Sequence, residues 1–77
     1  MPSAYPPPDW VLARRRAVGA RIRARRREAG MTQEMVALNS GVDRPSIVNI
    51  EAGKQSPSVD TLIRIAAALG CDLSDLV

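Results

Sequence analysis

Residues 32–53, TQEMVALNSGVDRPSIVNIEAG, constrain the fold more than any other part of the chain. They hold start and stop signals for two short helices with almost nothing to spare between them. Thr32 offers its hydroxyl to an unpartnered N–H of a first turn, and Glu34 places a negative charge where the helix dipole favours one. Gly41 supplies the left-handed residue that ends this helix without a Cβ penalty. Asp43 caps a second helix, Pro45 is tolerated in its first turn, and Gly53 closes it. Val36, Ala37, Val42, Ile47 and Ile50 converge only if the two helices cross closely, and Ala37 is small where a bulkier residue would hold them apart.

The remaining residues must complete a core around this pair. A chain of 77 residues allows one domain. With no Phe, one Trp and one Tyr, its core must be aliphatic. A core this small seldom contributes more than roughly 3–5 kcal/mol, so dimerisation is a natural supplement. The formal charge of +3 is unevenly spread: residues 1–30 carry eight Arg against Asp9 and Glu28, whereas residues 31–77 carry Arg44, Lys54 and Arg64 against six acids. Concentrated basic charge beside a tight helix pair suits a surface that meets a polyanion, and such a pair can place its second helix in the major groove of DNA.

The segment MPSAYPPP holds four prolines and cannot support a helix, so residues 1–9 read as a disordered, solvated leader, with a proline-seeking protein partner as the alternative. Asp9 is placed to cap a helix over 10–29, with Val11, Val18, Ile22 and Ala29 as its apolar stripe. Gly19 weakens the middle by about 1 kcal/mol, which allows a short helix before a main one. The other faces carry Arg14, Arg15, Arg16, Arg21, Arg23, Arg25, Arg26 and Arg27 with few acids to pair with, so some of them are expected to meet phosphate. Gly30 ends the helix. After the loop Lys54-Gln55-Ser56-Pro57, Ser58 caps a further helix through Leu69, with Val59, Leu62, Ile65, Ala66 and Leu69 inward, and Gly70 ends it. Cys71 reads as a small buried hydrophobe. The final DLSDLV makes one or two helical turns whose Leu73, Leu76 and Val77 either pack back on the core or form a dimer contact.

Several function classes are excluded by what is missing. There is no His, one Cys and no carboxylate cluster, so no acid–base, nucleophilic or metal constellation can be drawn, and an enzyme, a metal or a cofactor is not expected. A lone thiol suits a reducing compartment, and no apolar run approaches a membrane span or signal-peptide core. A soluble cytoplasmic protein, on the nucleoid when DNA-bound, is the expectation.

Over residues 17–77, roughly four fifths of the chain, the sequence resembles the phage lambda-repressor/Cro-like (XRE-type) helix-turn-helix family. GMTQ, the turn around SGV, IEAGK, SPS and TLIRIAAALG fall in that family's order and spacing without a gap. The resemblance implies an all-α, compact five-helix domain over 10–77 with its helix-turn-helix core at 32–53, bound to double-stranded operator DNA, usually as a homodimer. Position by position, it implies that Gln33 grips phosphate and braces the reading helix. Arg44, Pro45 and Asn49, with Val48, fall where the family contacts base edges, and Lys54 and Gln55 where it meets the backbone. Arg26 and Glu51 match a pair that ties the first helix to the third. Arg23 and Arg27 are the first-helix arginines expected on phosphate.

Independently of any family, a guanidinium in the first turn of a reading helix can bond guanine O6 and N7 bidentately, and an amide such as Asn49 suits adenine. Two departures stand out: Pro45 can read only by apolar contact or shape, and Asp43 puts a negative charge beside the DNA. The leading expectation is a transcriptional regulator, most simply a repressor, reading a pseudo-palindromic operator. The alternatives are an antitoxin or restriction-control DNA-binding component, or a protein-interaction module that keeps the fold, for which Glu34, Asp43 and Glu51 are the best support.

Overall fold

Three helix starts are fixed by a side-chain oxygen that accepts the N–H three residues on: Thr32 from Met35, Asp43 from Ser46 and Ser58 from Thr61, each at 3.1 Å. A computed structural model describes residues 5–77. It shows α1 (Asp9–Glu28), α2 (Gln33–Ser40), α3 (Arg44–Glu51) and α4 (Val59–Leu69), followed by a single 3₁₀ turn at Leu73–Asp75, with no strand among the described residues. The all-α reading holds. The expected fifth helix is only that 3₁₀ turn, pinned by the Asp72 N–H donating to the Asp75 carboxylate.

The turns follow the glycines. Gly41, with φ of 74°, ends α2, and its N–H returns to the Ala37 carbonyl. The Ser40 hydroxyl then accepts the Val42 N–H, so the α2–α3 turn is closed by a buried side chain. Past α3, the Gly53 N–H bonds the Ile50 carbonyl and the Lys54 N–H bonds that of Asn49, a Schellman closure that needs the left-handed residue.

Ile22, Val36, Ile47, Ile50, Ile65 and Leu76 are fully buried, and Ala37, Leu62 and Ala66 nearly so. At roughly 1.5–3 kcal/mol for each large side chain removed from water, these carry the domain. Val18, Val42, Leu69, Cys71 and Leu73 pack on the edge of this cluster. Burial pushes the Cys71 thiol above its ordinary pKa, so it stays protonated at neutral pH.

Four expectations are corrected. Asp9 is the first residue of α1, not its cap; Pro8 occupies that position and has no side chain to accept a bond. α1 runs unbroken through Gly19, because that residue is where α3 crosses it: a Cβ there would lie 2.3 Å from the Ile50 carbonyl oxygen. Ala29 and Val59 face solvent, the first because α1 has ended and the second because Leu62, Ile65 and Ala66 set the inward face of α4. Of the two outcomes open to the last apolar residues, Leu76 takes the first and packs back on the core, whereas Val77 keeps about half of its surface, 48%. Of the leader, residues 1–4 lie outside the described residues, and Pro6, Pro7 and Pro8 precede the first helix.

Candidate nucleic-acid interface

α3 has two unlike faces. Ile47 and Ile50 are buried on the side of α3 that packs on α1 and α2, and at 3.6 residues per turn this sends Arg44, Pro45, Val48 and Asn49 to the opposite side. All four are exposed and together line one shallow depression of about 330 Å³. The expected base-contacting residues thus share one outward stripe. Arg44 has one weak partner, Glu34, at 3.7 Å across two well-exposed side chains. Such a contact contributes well under about 1 kcal/mol, so it can be exchanged for another acceptor at little cost.

Behind the stripe, α3 is tied to α1 and α2 by one carboxylate. Arg26 Nε donates to Glu51 Oε2 at 2.7 Å and Nη2 to Oε1 at 3.0 Å, while Nη1 donates to the Met31 carbonyl oxygen at 2.9 Å. The side chains of Arg26 and Glu51 keep only 12% and 4% of their surface. The hydrogen bonds from Arg26 to Glu51 hold the guanidinium pKa above its already high value, so Arg26 stays charged at any ordinary pH. Gln33 Nε2 also donates to Glu51 Oε1, at 3.2 Å. Gln33 therefore touches α3 directly, in the position a brace requires.

Between α1, the start of α2 and α3 lies an open cleft of about 550 Å³, lined in part by Arg23, Thr32, Gln33, Arg44 and Val48. Arg23 is thus brought beside the outward stripe. Arg27 is exposed near the end of α1 and does not line this cleft. Lys54 is exposed directly after α3, and Gln55 turns into a second groove, shared with Ser46, Thr61 and Arg64.

At the start of α3, the Ser46 hydroxyl donates to Asp43 at 2.8 Å and the Ser46 N–H donates at 3.1 Å. These bonds, the hydroxyl foremost, hold the Asp43 carboxyl below the ordinary carboxylate range. Its charge is spent on the cap.

Sequence reasoning missed Gly19 as a packing residue and Arg64 as a groove residue. A small residue inside an otherwise apolar stripe was the available signal for Gly19; nothing local marks Arg64.

A helix-turn-helix fold with an outward-facing, polar second helix defines a class of DNA-binding regulators, and comparison with known proteins agrees. A family model described as helix-turn-helix matches residues 22–76. The chain belongs to this family, the XRE-type helix-turn-helix proteins. It is 40% identical over 63 residues to the uncharacterized HTH-type transcriptional regulator y4dJ of Sinorhizobium fredii, covering 82% of both chains. It is 38% identical to the immunity repressor protein of Bacillus phage phi105 over 60 residues, 78% of this chain and 42% of that one. Among solved structures it is similar to the restriction-modification controller protein C.AhdI of Aeromonas hydrophila, with a TM-score of 0.82 at 31% identity over 84% of this chain and 98% of that one. It is likewise similar to the clp gene regulator ClgR of Corynebacterium glutamicum, with a TM-score of 0.77 at 30% identity over 82% of each chain.

Proposed function

We propose that the protein is a transcriptional repressor that reads a pseudo-palindromic operator in double-stranded DNA as a homodimer, with α3 in the major groove. The carrying observation is the stripe Arg44, Pro45, Val48 and Asn49, exposed opposite Ile47 and Ile50 on a helix anchored through Glu51. A helix held this rigidly presents its outer side chains in one fixed register, which base readout requires. Arg44 would bond a guanine edge, Asn49 an adenine, and Pro45 and Val48 an apolar base edge such as a thymine methyl. Gln33, Arg23, Arg27, Lys54 and Gln55 would take phosphates, which position the protein without reading sequence. Two-fold pairing would set the α3 helices about 34 Å apart, one turn of DNA. The domain spans 10–77 in this reading, with its core at 32–53, and acts by binding in the cytoplasm, not by catalysis.

The likeness to the phage phi105 immunity repressor supports repression. The likeness to C.AhdI, a restriction-modification controller, supports a second reading in which the same interface controls a restriction system. Selection of bound duplexes from a random pool, with the protein's mass in solution measured alongside, tests the proposal. An enriched inverted repeat and a dimer mass support it. No enrichment, with binding lost as salt rises, reduces the protein to a non-specific binder.

A further inference from the structure

We infer that Arg64, with Gln55 and Thr61, forms a second phosphate-binding groove on the side of α3 away from the Arg23–Gln33 cleft. The inference rests on the DNA-binding reading and extends it from Gln55, already placed on phosphate, to Thr61 and Arg64.

The first support is placement. On the α3 helix, Glu51 borders one edge of the outward stripe and Ser46 the other, since their positions fall on opposite sides of Arg44, Val48 and Asn49 at 100° per residue. The Arg23–Gln33 cleft opens on the Glu51 edge, and a groove of about 220 Å³ opens on the Ser46 edge. A major groove is bordered by two phosphodiester backbones, so a helix lying in it meets phosphate on both sides.

The second support is chemistry. Gln55, Thr61 and Arg64 bring an amide, a hydroxyl and a guanidinium to one groove, which Ser46 lines with its hydroxyl proton already given to Asp43. Thr61 and Arg64 are three residues apart on α4 and so share a face. Arg64 forms no ion pair among the described residues. Its Nη1 lies 3.3 Å from the position a Cβ on Gly41 would take, so the guanidinium rests along the α2–α3 turn. Gly41 thus leaves room for it. Asp43 also borders the groove, but both of its oxygens already accept from Ser46, and the charge of Arg64 offsets its own.

The test compares the wild-type protein, Arg64→Gln and Arg64→Lys on a duplex recovered by selection. It measures affinity against salt and maps the essential phosphates by ethylation interference. Arg64→Gln should lower affinity roughly fivefold at about 0.15 M salt and reduce the salt slope by about 0.9 per protomer, equally on matched and mismatched duplexes. Interference should vanish at one phosphate per half-site, on the flank opposite the one lost in Arg23→Gln, and Arg64→Lys should restore most of the slope. An unchanged slope and interference pattern in Arg64→Gln overturns the inference, including the case in which only the melting temperature falls, because Arg64 would then serve only to balance Asp43. Failure of the wild-type protein to bind duplex DNA at all overturns the functional reading itself.

Discussion

Arg26 and Glu51 lie 25 residues apart in the chain and form a two-pronged, almost fully buried ion pair that fixes α3 to α1. Removing one partner strands the other. Glu51→Ala should destabilise the fold by about 3 kcal/mol, and in an Arg26→Ala background the same change should cost much less. Urea denaturation of the four proteins of this cycle measures the coupling, and additive costs would mean that the pair is not a structural unit. Because Gln33 donates to the same carboxylate, Glu51→Ala should also weaken operator binding beyond its effect on folding.

Gly19→Ala pits helix propensity against packing. The alanine gains about 1 kcal/mol of propensity. Its Cβ would sit 2.3 Å from one backbone carbonyl oxygen of α3 and 2.8 Å from the next, neither of which can swing aside like a side chain. A net loss of at least about 2 kcal/mol is expected, a fall of roughly 10 °C in melting temperature for a domain of this size. Gly30→Ala is the control: nothing lies within 4 Å of its Cβ, so only the left-handed backbone, with φ of 68°, opposes it. Its cost should be about 1–2 kcal/mol. A Gly19→Ala protein as stable as wild type would contradict the close crossing.

Asp43 sets an acid limb on stability. Its carboxyl pKa is lower in the folded chain than in the unfolded one, where it is about 3.9. The group therefore stabilises the fold fully above that value, and its contribution fades as pH falls through the lower, folded value. Melting temperatures of wild type and Asp43→Asn should converge on acidification below about pH 4. The asparagine can still cap, but it no longer titrates. The same variant removes a negative charge beside DNA and should raise non-specific affinity at low salt; parallel acid curves for the two proteins would argue against the cap.

Local signals made most of the fold legible. Thr32, Asp43 and Ser58 cap helices through bonds to residues three positions on, and Gly41 and Gly53 end helices through their own backbone, so each is decided within one turn of chain. Errors arose where tertiary contact decides. Gly19 reads as a weak point in a helix until α3 is laid across it, and Val59 fits an apolar stripe until the rest of α4 claims the core. Leu76 lies at the end of the chain, where only the packed structure distinguishes a plug from an exposed contact. The outward stripe was legible because Ile47 and Ile50 define its opposite face. Arg64 was not, since the groove it borders is built from three separate segments.

The central claim is that the outer face of α3 reads base pairs, and parallel duplex selection with wild type and Arg44→Ala tests it most directly. Selection with the wild-type protein should return an inverted repeat. Arg44→Ala should lose preference at one base pair per half-site, with about 1–3 kcal/mol less discrimination there and the rest of the motif intact. The same motif at the same strength from both proteins would contradict it.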